Sequence, residues 1–157
     1  MRQPQTFCAV LTTSSSLRRW RGTSASKTVQ QPPQVLVLFD REDDPECRLV
    51  REALSELNLD VLIYPCPLGA DRFSHDLKQL GGEQAAVPFL VDGNTQIKVQ
   101  GADAINAYLF SQYKHAATPA PLKVNAVNLL TSRLASAARL KIGGLQAKPS
   151  QLPEKPL

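Results

Sequence analysis

The most reactive side chains in this sequence are three thiols, Cys8, Cys47 and Cys66. A cysteine does nucleophilic or redox chemistry as its thiolate, so the charge around each one decides what it can do. Cys47 closes the segment Asp43-Asp44-Pro45-Glu46-Cys47, and the field of those acids disfavours a thiolate there. Cys47 therefore has two readings, a weakly activated thiol at a site or a small apolar residue packed on a core face. Cys66 sits between Pro65 and Pro67, which suggests partial exposure. A Cys47 to Cys66 bridge would need Cα atoms roughly 5 to 6 Å apart, and nothing in the spacing implies that. Three cysteines make no disulfide framework, and no Cys and His set has zinc-site spacing, so no metal ligand is assigned. Arg48 and Arg51 carry the charge to steer an anion, but beside Glu52 they read as a solvated helix face. Arg72 and His75 have no partner in view and receive no catalytic role.

The elements that must position these groups start after Pro32-Pro33. Val35-Leu36-Val37-Leu38-Phe39 is a short continuous apolar run, the pattern of a buried strand. Cys47, Val50, Leu54 and Leu57 then recur at spacings of three and four, which predicts an amphipathic helix over Pro45 to Leu57, with Pro45 in its first turn. Val61 to Tyr64 is a second strand, so the unit opens as β-α-β with parallel strands. Phe73, Leu77 and Leu80 form a shorter helical stripe stopped by Gly81-Gly82. Val87 to Val91 and Gln96 to Val99 flank Asp92-Gly93-Asn94 as a hairpin, and Ala104, Ile105, Tyr108, Leu109 and Tyr113 mark a last helix. The order is β-α-β-α-β-β-α, an α/β arrangement with a mixed four-stranded sheet.

That order resembles the thioredoxin-like fold of glutaredoxins and of the glutathione S-transferase N-terminal domain over residues 34–114. The resemblance rests on Asp44-Pro45-Glu46-Cys47-Arg48-Leu49-Val50-Arg51, on Val87-Pro88-Phe89-Leu90-Val91-Asp92, and on Ile105 with Tyr108-Leu109. Tyr64-Pro65-Cys66-Pro67 and Leu80-Gly81-Gly82 are similar to marks in plastid proteins of plants and algae that carry two such domains in tandem. In that family a Cys-Pro-Phe-Cys motif opens the first helix, and its first cysteine is the nucleophile. Here Asp44 replaces that nucleophile and Cys47 holds the resolving position. An aspartate can cap a helix but cannot attack a disulfide, so the resemblance implies a degenerate CxxC motif without disulfide reductase activity. It also implies glutathione as the ligand. Val87 before a cis Pro88 would pair with the cysteine moiety, and the γ-glutamyl end would rest at the start of the last helix, at Ala102 and Asp103. The transferase serine is missing there, and Asp103 reads equally as a plain helix cap. A glutathione-dependent transferase or thiol reductase thus stands as the alternative to a silent module that binds a protein partner or a second thioredoxin-like domain.

Charge divides the chain further. Residues 1–31 hold Arg2, Arg18, Arg19, Arg21 and Lys27, no acid, and ten serines and threonines from Thr6 to Thr28. This composition reads as a transit peptide, plastid before mitochondrion, against the plainer reading of a disordered tail. Residues 35–115 carry −6 and residues 116–157 carry +5. The second of these regions, taken as 115–157, reads as a Pro/Ala linker, an amphipathic helix and a Pro-rich tail. The helix stripe is Val127, Leu130, Leu134 and Ala138, expected to pack on this domain or on a following one. The tail resembles the linker between tandem domains, and the chain ends where the second repeat would start. No run approaches the roughly 18 apolar residues of a membrane span. No basic stripe interleaves with aromatics, so nucleic acid is not an expected partner.

Overall fold

The computed structural model describes residues 24–26 and 29–142, with residues 136–142 described by their backbone alone. The elements are β1 (Leu36–Asp40), α1 (Pro45–Leu57), β2 (Val61–Pro65), α2 (Ser74–Gly81), β3 (Phe89–Asp92), β4 (Ile97–Gln100), α3 (Ala102–Lys114), a 3-10 turn (Ala120–Leu122) and α4 (Ala126–Ile142). The order matches the one expected from the sequence, with the additional C-terminal helix. Strands lie in the order β2-β1-β3-β4. The α1 crossover makes β1 and β2 parallel, with Leu36 opposite Val61. β3 runs antiparallel to β1 and to β4, the second pairing closed by the short hairpin.

Period-two alternation sends side chains to two faces of the sheet. Leu36, Leu38 and Leu90 meet Leu49, Val50 and Leu54 of α1 and Ile105, Leu109 and Phe110 of α3 in the larger core. Phe39 and Phe89 face the other way, onto Leu77 of α2. Tyr64 stacks on Phe73 there, with ring centroids 4.7 Å apart. Val61 to Tyr64 is an apolar run, yet Leu62 is 48% and Ile63 42% exposed. β2 is an edge strand, so a neighbouring strand shields its side chains on one flank only.

Folded contacts begin upstream of residue 34. Val29 packs against the larger core, the Ser26 N–H donates to the Glu56 carbonyl at 2.7 Å, and the Gln31 amide bonds the backbone of Asn58 and Asp60. The rest of the expected leader, Cys8 included, and residues 143–157 of the expected tail lie outside the described residues.

The C-terminal helix corrects one expectation. α4 packs on α1, but not through its leucine stripe. Val127, Leu130 and Leu134 are 69%, 59% and 49% exposed, whereas Ser132 and Ala135 are buried. The inward face is a different one: the Ser132 hydroxyl donates to the Pro45 carbonyl at 2.9 Å, and Leu129 packs against the larger core. The side chain of Ala138 lies outside the described residues. Among the described residues no helix is long and apolar enough to cross a membrane.

Candidate functional site

The loop from β1 into α1 carries the expected centre. Asp44, in extended conformation, is the N-cap of α1, and its Oδ1 accepts from the Glu46 N–H at 2.8 Å and the Cys47 N–H at 3.0 Å. The Arg41 guanidinium lies 3.3 Å from its other oxygen. One side chain therefore satisfies two of the four orphan donors at the helix start. Cys47 is fully buried, and the Arg41 N–H donates to its Sγ at 3.4 Å. Burial pushes the Cys47 thiol far above its usual range; the Arg41 N–H opposes this, and Asp40 and Asp44 reinforce it. Cys66 is half-buried, and its thiol is also raised, first by burial and then by Asp40. Both thiols are free. We expect iodoacetamide at pH 8 to label Cys66 in the native chain at least about tenfold faster than Cys47, because attack needs both access and thiolate. Peptide mass mapping after timed labelling checks this, and equal rates would contradict the burial of Cys47.

The second half of the expected site lies across α1, at β3 and α3. The Val87–Pro88 bond is cis, as the resemblance implies. Val87 precedes the first ladder pair, Phe89 opposite Gln100. The Gly101 N–H donates to the Pro88 carbonyl at 2.9 Å and ties this segment to the start of α3. The first N–H of that helix, on buried Ala102, donates to Glu46 Oε2 at 3.2 Å. Asp103 is exposed, and its carboxylate accepts from the Val124 N–H in the segment before α4. The structure thus gathers Asp44, Cys47, Val87, Pro88, Ala102 and Asp103 around the N-terminal ends of α1 and α3. For glutathione the donor set fits in part. The two groups that the resemblance assigns to its γ-glutamyl end are already engaged, by Glu46 and by Val124.

The arginines depart from the solvated face expected of them. Arg48 and Glu52 are 8% and 7% exposed and pair at 3.2 Å. Arg51 bridges Asp40, at 2.7 Å, and Glu42. The helix periodicity marks them as polar, but α1 is packed by both α3 and α4, so little of its surface meets water. Among the described residues no cluster of His, Cys, Asp or Glu could hold a metal ion.

One polar centre has no forerunner in the sequence reading. Asp92, fully buried at the end of β3, accepts from the Tyr108 hydroxyl at 2.6 Å, from the Tyr113 hydroxyl, and from the Asn94 backbone and side chain at 2.8 and 2.9 Å. The Tyr108 hydroxyl also meets Thr95 Oγ1 at 2.6 Å. Burial by itself would raise the Asp92 carboxyl, but the donors from Tyr108, Tyr113 and Asn94 together hold it below the usual carboxylate range. Both tyrosine hydroxyls shift upward in turn, by burial first and then by Asp92. The signal available beforehand was Asp92-Gly93-Asn94, which reads as turn chemistry alone.

A mixed sheet in the order β2-β1-β3-β4, with the β1–α1 loop facing a cis-proline at the start of β3, defines the thioredoxin-like class. The glutathione S-transferase N-terminal domain family matches residues 38–118, more than half of the chain, and the chain belongs to that family. No curated protein and no solved structure matches it.

Proposed function

We propose that this chain is a plastid protein whose glutathione S-transferase N-terminal, glutaredoxin-like domain has lost disulfide reductase activity and serves as a binding module. The observation that carries this reading is Asp44, a carboxylate engaged as helix cap where the family's nucleophilic thiol would stand. Cys47 cannot take over the role, because it is buried and its thiol is held in the protonated form. The acid-free, hydroxyl-rich leader supports the plastid address.

A second reading keeps glutathione as the ligand of a transferase or thiol reductase. It is supported by family membership and by Val87 and Pro88, which stand beside the start of α3 through the Gly101 to Pro88 hydrogen bond. Two measurements on the full chain separate the readings. With glutathione and hydroxyethyl disulfide, the rate is expected to equal that of buffer alone, and the same is expected with chlorodinitrobenzene. Turnover in either assay would overturn the silent-module reading, while calorimetry with glutathione reports whether the ligand still binds.

A further inference from the structure

We infer that Glu46 is an internal occupant of the position that a glutathione γ-glutamyl carboxylate would take, and that it sets the affinity for that ligand. The inference rests on the reading that glutathione binds between Val87 and the start of α3. α3 runs for 13 residues, and its opening N–H groups make a positive end that suits one carboxylate. Its N-cap is Gly101, which has no side chain to cap with. The cap is supplied instead from another helix: Glu46, in the first turn of α1, places Oε2 3.2 Å from the Ala102 N–H across 56 residues of sequence. Asp103, the other group that the resemblance assigns to this end of the ligand, has one carboxylate oxygen engaged by the Val124 N–H.

The electrostatics follow from charge alone. An incoming carboxylate must displace Glu46 from the Ala102 N–H and then lie close to that displaced carboxylate, while Arg41, the cation of the same loop, is already paired with Asp43 and Asp44. A ligand of the same shape without that carboxylate meets no such competition. Glu46 is thus an affinity- and specificity-determining residue, and it acts against the anionic end of glutathione rather than for it.

The test compares the full chain with Glu46→Gln, which keeps the shape and removes the charge, and Glu46→Ala, which removes the acceptor. Before any ligand is added, the Ala102 amide resonance is expected to move in both variants. An unmoved resonance would mean that the contact is absent in solution, and the inference falls. In calorimetry, glutathione is expected to bind both variants about tenfold tighter than the parent, equivalent to about 1.4 kcal/mol. The analogue lacking the γ-glutamyl α-carboxylate is expected to bind all three proteins alike. Glutathione binding that the variants do not tighten overturns the inference and leaves the glutathione reading standing. Equal tightening for both ligands also overturns it, since the effect would then be general charge removal. If no protein binds either ligand at millimolar concentration, the glutathione reading itself is overturned, and the inference with it.

Discussion

Asp92→Ala is expected to lower the stability of the folded chain by about 2 to 3 kcal/mol, with little change in the slope of a urea unfolding curve. The carboxylate is the common acceptor for Tyr108, Tyr113 and Asn94. Its removal leaves half-buried hydroxyl and amide donors without their acceptor, and a stranded buried donor costs roughly 1 to 3 kcal/mol, less where water can reach it. Tyr108 keeps Thr95 as a partner, so the donors are not all lost together. Tyr113→Phe deletes one donor and leaves Asp92 the others, which predicts about 1.5 kcal/mol. The effect has a pH signature whose sign is fixed by the depressed carboxyl. A group whose folded pKa lies below its unfolded value of about 3.9 stabilises the fold above that value. The contribution is lost as pH falls below about 4 and through the folded pKa. Urea midpoints measured between pH 5 and pH 2.5 should therefore fall more steeply for the parent than for Asp92→Ala. A variant within about 1 kcal/mol of the parent at pH 7 would show that the network stabilises little.

The sequence made some of this readable and hid the rest for physical reasons. α1 was legible because burial on one face of a helix imposes a period, and Cys47, Val50, Leu54 and Leu57 all prove buried. α4 misleads by the same rule. Its leucines define the obvious stripe, but the buried positions are Ser132 and Ala135, small residues that periodicity does not weigh. Arg48 and Glu52 look like a solvated i, i+4 pair because the sequence of one helix does not say that others pack on it. Asp44 as a helix cap is legible from its place just before Pro45, whereas the Glu46 to Ala102 contact depends on topology. Two helix starts 56 residues apart meet only once the sheet has set their places. Asp92 was hidden because its tyrosine donors come from a helix beyond the next strand, and an aspartate followed by glycine and asparagine carries a strong turn signal of its own.

Asp44→Cys is expected to convert the cap into a reactive thiol. The new sulfur would stand before the Glu46 and Cys47 N–H groups that now hold the carboxylate, with the Arg41 guanidinium beside it. Those donors and the α1 dipole favour a thiolate. Asp43 and Glu46 oppose it, so a depression of about two units from the ordinary 8.5, toward 6.5, is expected within the range that helix starts produce. At pH 5.5 such a thiol is about 90-fold more ionised than a free cysteine. Each thiolate is about eightfold less nucleophilic, given a Brønsted coefficient near 0.45. The product is a rate of alkylation by iodoacetamide about tenfold above that of free cysteine at pH 5.5, shrinking to about threefold at pH 7. The parent has no reactive group at this position, so the variant should also gain hydroxyethyl disulfide reduction where the parent shows none. Loss of the carboxylate cap costs about 1 kcal/mol, which a urea curve would register separately. Turnover does not require Cys47 as a resolving partner, because that thiol is buried and held protonated. Cys47→Ser placed in the Asp44→Cys background should accordingly leave the gained activity within about twofold. An Asp44→Cys thiol that titrates at or above 8.5 would mean that Asp43 and Glu46 outweigh the helix start and Arg41. The proposed lack of reductase activity would then be a property of the whole acidic loop and could not be reversed at one residue.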